Sequence, residues 1–150
     1  MKKQIISLLT IIFSLISFHT HASELNWKPA QDGDKIILIR HAKAPGGGDP
    51  KGFKIDDCKT QRNLDMMGIN QAKKIGKLFR EKKIKIDRVL SSQWCRCKDT
   101  AKYAFGNFKE FSALNSTYTP PYDQNEKQQI EDLKKYVNNW NGKGGNLVLV

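Results

Sequence analysis

"KIILIRHAKAPGGGD", residues 35–49, runs four aliphatic residues straight into an arginine, a histidine and a glycine-rich stretch. Residues 36–39 carry the pattern of a strand buried on both faces. Neighbouring residues of a regular strand point to opposite faces, so Arg40 and His41 can address one ligand only if the chain leaves strand geometry there. The small and glycine-rich residues after His41 permit that departure.

Outward from this stretch, the apolar period alternates between that of a strand and that of a helix. Asp65 is placed to cap a helix running to about Lys82, with Ile69, Ala72, Ile75, Gly76 and Phe79 inward and a lysine-rich outer face. Residues 89–91 read as a second strand, and a helix begins at about Gln93 and runs to about Phe105. "NSTYTPPYDQN", residues 115–125, is a loop in which Pro120 and Pro121 oppose regular structure. Ile130, Leu133, Val137 and Trp140 recur at helical spacing, which predicts a third helix from about Glu126 to Trp140. "NLVLV", residues 146–150, is a third buried strand. Strands alternating with helices predict an α/β fold with a largely parallel sheet. No internal repeat interrupts the pattern.

Lys2 and Lys3 precede an apolar run, Ile5 to Phe18, that is shorter than the roughly 20 residues a membrane span needs. Thr20 and Ala22 put small residues at the −3 and −1 positions of a cleavage site. Residues 1–22 therefore read as a secretory signal peptide and 23–150 as one domain, with no stable membrane insertion after cleavage and a periplasmic destination. Cleavage removes His19 and His21, leaving His41 as the sole histidine and excluding a multi-histidine metal site. It also lowers the formal charge from +11 to +9. That surplus suits anionic partners or a solvated basic surface; nucleic acid is not indicated, since no aromatic and basic repeat accompanies the lysines.

In an oxidising compartment a disulfide persists. Cys95 and Cys97 are too close to pair with each other, so Cys58 bonds one of them. On a helix from Gln93 the apolar face is Trp94, Cys97, Ala101, Ala104, Phe105 and Phe108, which puts Cys97 in the core and favours Cys58 with Cys95.

Ligands of such sheets bind at the carboxyl ends of the strands. Arg40-His41 ends the first strand, and "SSQWCRCKDTA", residues 91–101, ends the second. Arg40 and Arg96 carry planar forks that match phosphate oxygens, and the helix start after Ser92 is expected to add free backbone N–H groups. A neutral imidazole in that setting can attack phosphorus and hold the phosphoryl group until water releases it. The glycine run lacks the Lys-Ser/Thr of a nucleotide-binding loop.

"LIRHAKA", "QRNLDMMGINQAKKIG" and "VLSSQWCRCKDTA", in this order and joined to the final "LVLV", resemble the histidine phosphatase superfamily, also called phosphoglycerate mutase-like. "DDCKTQRNL" and "SSQWCRC" are most similar to its small secreted bacterial branch, which includes lipopolysaccharide core heptose-phosphate phosphatases. The resemblance implies a three-layer α/β/α fold and a phosphomonoesterase that needs no metal or other cofactor. Its substrate would be a phosphorylated small molecule or glycan. His41 matches the nucleophile that becomes phosphohistidine, Arg40 and Arg96 match the phosphate-binding arginines, and Arg62 is carried to the same pocket through an Arg-x-Leu pattern. Ala42 stands where the family commonly has glycine.

The relatives also carry a second histidine just after a strand like "NLVLV", and the sequence reaches Val150 without one. The expectation that follows is a domain missing its C-terminal part. With it comes an alternative reading, a catalytically impaired module that binds phosphate or phosphoglycans. Mutase activity on a glycolytic phosphate ester is a third reading, disfavoured by export. The general acid is left among Glu110, Asp123 and Glu126. Blander roles stand beside these: Arg96 paired with Asp99, Arg62 paired with Asp56 or Asp57, Asp49 as a loop former, Gly68 and Gln71 as helix-packing residues, and Trp94 and Trp140 as core.

Overall fold

A parallel four-stranded sheet in the order β1-β4-β2-β3 organises the computed structural model, which describes residues 26–150. The signal-peptide reading lies outside the described residues. In chain order the elements are α1 (Lys28–Asp32), β1 (Ile36–Leu38), α2 (Met66–Glu81), β2 (Ile86–Ser91), α3 (Cys95–Phe105), β3 (Lys109–Glu110), α4 (Glu126–Asn139) and β4 (Asn146–Leu149). Three short 3-10 turns, Cys58–Thr60, Ser112–Leu114 and Tyr122–Asn125, punctuate the loops.

α2 begins where the Asp65 carboxylate accepts from Gly68 N at 2.7 Å. Its inner face, Ala72, Gly76 and Phe79, packs with α3 on one side of the sheet, where Phe79, Ile84, Val89, Ala101, Val148 and Val150 form a core. The two helices approach closely at Gly76, because a Cβ there would collide with the Ala104 carbonyl. On the other side Leu133, Tyr136 and Trp140 of the α4 region cover Leu90, Leu147 and Leu149. The result is the three-layer α/β/α arrangement expected from the sequence.

β4 is the central strand and is buried along its whole length, with Ile37 opposite Val148 on one side and Val89 opposite Val148 on the other. β1 corrects the expectation of a strand buried on both faces. It is the outer strand among those described; Ile36 reaches the α4 core and Ile37 the α2/α3 core, but Leu38 is 75% exposed. α4 sits over β4 and β2, so its cover stops short of Leu38.

β2 starts earlier than expected, since the polar Asp87 and Arg88 hide its first half in the sequence; Arg88 extends to donate to the Tyr136 hydroxyl. α3 starts at Cys95 and leaves Trp94 extended. Cys97 packs against the α2/α3 core as expected, while Cys95, off that face, is nonetheless only 1% exposed because the segment bearing Cys58 covers it. Cys58 and Cys95 form the favoured disulfide, and Cys97 is free.

Candidate active site

The ladder of β1 ends at Ile39, whose N–H reaches Leu149 O at 2.8 Å. Beyond it, side chains of the two helices take over the backbone: Thr100 Oγ1 accepts from Ala42 N at 2.9 Å and Gln71 Oε1 accepts from Lys43 N at 2.8 Å. Ala42 and Ala44 are buried, and Gly68 lies so near the Lys43 carbonyl that a Cβ would collide with it. Gln71 and Gly68, read from the sequence as packing residues, thus turn the chain out of the strand at the histidine.

This exit brings Arg40, His41, Arg62 and Arg96 to one cavity of about 310 Å³, which Gly47, Gly48, Asp49, Trp94, Cys97 and the exposed Tyr118 also line. His41 Nδ1 lies 2.7 Å from the Ala42 carbonyl. A carbonyl only accepts, so the proton sits on Nδ1 and Nε2 keeps its lone pair. Burial is the main cause that lowers the His41 pKa below 6.5; the Ala42 hydrogen bond opposes it, and the charges of Arg96, Arg62 and Arg40 add to the lowering. The imidazole is consequently neutral at pH 7, the form a nucleophile requires.

Arg96 projects from the first turn of α3 and pairs with Asp49, not with Asp99: Nη1 contacts both carboxylate oxygens, at 2.9 and 3.0 Å. Both side chains are 9% exposed. Asp49 also accepts from Arg62 N and from Trp94 Nε1, each at 2.9 Å. These donors hold its carboxyl below the usual carboxylate range against the opposing effect of burial. Arg62 pairs with neither Asp56 nor Asp57; its Nη1 bonds the Ala44 carbonyl and reaches Gly46 O at 3.4 Å. Trp94 is buried as expected, meets Phe53 at a tilt and Tyr122 edge-on, and commits its N–H to Asp49.

Three guanidinium charges meet one carboxylate in this cavity, and Arg62 Nε and Arg96 Nε have no acceptor among the described residues. A cluster with surplus charge and unused donors is complementary to an oxyanion. The expected free N–H groups at the start of α3 are, by contrast, mostly engaged. Gln93 N donates to Asn115 Oδ1, Trp94 N to Ser92 Oγ and Cys95 N to Gln61 Oε1.

None of the three acid candidates lines the cavity. Glu110 pairs instead with Lys98 at 3.2 Å. Asp49 was readable in the sequence only as a loop residue; three acids, Asp49, Asp56 and Asp57, lie between His41 and Arg62, and nothing in the sequence selects Asp49. No group of three His, Cys, Asp or Glu side chains among the described residues is arranged to hold a metal. A larger cavity of about 510 Å³ lies against Arg88, Phe111, Tyr136 and Trp140, away from the histidine.

The sheet and its flanking helices have counterparts among known proteins. Residues 36–143 match the model of the histidine phosphatase superfamily (branch 1), and the chain belongs to that superfamily. Among solved structures it is similar to a protein assigned as the phosphohistidine phosphatase SixA from Agrobacterium tumefaciens (21% identity, TM-score 0.50, covering 77% of this chain and 66% of that one). It is also similar to a protein assigned as an α-ribazole-5′-phosphate phosphatase from Escherichia coli (16% identity, TM-score 0.55, covering 77% and 71%). An open reading frame product from Mycobacterium tuberculosis shares the fold as well (17% identity, TM-score 0.52, covering 77% and 72%). No curated protein sequence matches the chain.

Proposed function

We propose that the protein is an exported phosphomonoesterase acting on a phosphorylated small molecule or glycan through a phosphohistidine at His41. Nε2 of the neutral imidazole attacks phosphorus, the N–P bond forms as the ester P–O bond breaks, and the departing oxygen takes a proton from solvent. Water then attacks phosphorus, the N–P bond breaks, and inorganic phosphate leaves with the imidazole restored. Arg40, Arg62 and Arg96 bind the phosphate oxygens and offset the charge that builds on them.

The observation that carries this reading is the single cavity shared by the Nδ1-protonated His41 and the three arginines. Export is supported by the lysines and short apolar run at the N-terminus together with the Cys58–Cys95 disulfide.

Hydrolysis of an aryl phosphate by the wild-type chain and by His41→Ala tests the proposal. Turnover by the wild type and its loss in the variant is the expected result. Turnover that survives in the variant overturns the histidine mechanism, and phosphate binding without wild-type turnover favours the binding-module reading.

A further inference from the structure

We propose that Asp49 is a positioning residue for phosphate recognition, a fixed anionic post that holds the Arg96 guanidinium toward the His41 cavity. The inference rests on the phosphatase reading above and adds to it a residue outside the histidine and arginine set.

Two roles are open to a carboxylate buried beside a phosphate-binding arginine. It can occupy the place of phosphate and be displaced, or it can orient the arginine and stay. Hydrogen-bond geometry separates them. A plug would imitate phosphate and take two guanidinium nitrogens in fork-to-fork fashion. Asp49 instead directs both oxygens at Nη1 alone, at 2.9 and 3.0 Å, and leaves Nε without an acceptor among the described residues.

Asp49 is itself tied down by groups that are not ligands of phosphate. Arg62 N holds Oδ1 and Trp94 Nε1 holds Oδ2, and the indole packs against Phe53 and Tyr122, which also stack on each other. Displacing the carboxylate would break these bonds together with the ion pair, inside a site where both partners are 9% exposed. The same anchor reaches both arginine-bearing segments, Arg62 through its backbone and Arg96 through its side chain. One residue thereby sets the spacing between two phosphate ligands.

The test is inorganic phosphate affinity, read by calorimetry and as the competitive Ki, for wild type, Asp49→Asn and Trp94→Phe at a temperature where all are folded. Asp49→Asn keeps the size and an acceptor for the indole but loses the charge. It is expected to raise the phosphate Kd and Ki and the aryl phosphate KM together, by roughly ten- to hundredfold, the loss of about one charge-assisted hydrogen bond. Trp94→Phe is expected to shift them in the same direction by less. Tighter phosphate binding by Asp49→Asn would identify a plug and overturn the proposal. Unchanged affinity with a lowered melting temperature would reduce Asp49 to a structural role and overturn it equally. Either outcome, with His41→Ala inactive, leaves the phosphatase reading intact, whereas a wild type that binds no phosphate sinks both.

Discussion

His41 is a residue whose chemistry is set by its surroundings: a carbonyl that demands the proton on Nδ1, and burial, aided by three arginines, that resists a second one. Because its folded pKa lies below 6.5, protonation, and loss of the nucleophile, comes only as pH falls through that lowered value. The acid limb of kcat/KM for aryl phosphate hydrolysis should therefore turn down below pH 6.5 and disappear from the profile near neutrality. An acid limb centred above pH 6.5 would contradict the environment described. The four residues read as phosphate chemistry in the sequence do meet in one cavity: Arg40, His41 and Arg96 follow strand ends, and Arg62 is held there by its bonds to Asp49 and the Ala44 carbonyl. Asp49 was not legible as their partner: an aspartate after three glycines has ordinary loop composition, and only the tertiary fold carries it to Arg96.

At the scale of elements, helices α2 and α3 position the site as a pair, and Gly76 sets their separation. Gly76→Ala gains helix propensity but forces a methyl group into the Ala104 carbonyl, and overpacking of this kind costs about 1–3 kcal/mol. Denaturant unfolding of Gly76→Ala should show a lowered midpoint; an unchanged or raised midpoint would mean that the helices separate freely. Both helices were legible because Asp65 supplies a cap and the apolar residues repeat at helical spacing. β3 was not, as Lys109 and Glu110 are both charged and exposed and pair only because β2 offers its outer edge. Strand order was equally hidden, since nothing local in "NLVLV" tells that it inserts between β1 and β2.

Across the whole molecule, the Cys58–Cys95 bond joins the segment between His41 and Arg62 to the start of α3, where Trp94 and Arg96, the neighbours of Cys95 in the chain, line the cavity. With a sequence separation of 37 residues, the chain-entropy view gives it about 4 kcal/mol of stabilisation. Cys58→Ser with Cys95→Ser should lower the unfolding free energy by a comparable amount and weaken phosphate binding, and reduction of the wild type should do the same. Stability unaffected by reduction would show that the two segments hold together without the bond. The pairing was legible from spacing and from the helix face that turns Cys97 to the core, whereas the burial of Cys95 was not, since the covering segment hides it from solvent. The proposed function turns on covalent chemistry at one nitrogen. The most direct measurement is to mix the protein with an aryl phosphate, quench in alkali and map phosphorylation by mass spectrometry. A phosphoryl group on His41, present in the wild type and absent after His41→Ala, is the predicted result. Turnover with no phosphoryl group on His41, or with one on another residue, would contradict the account.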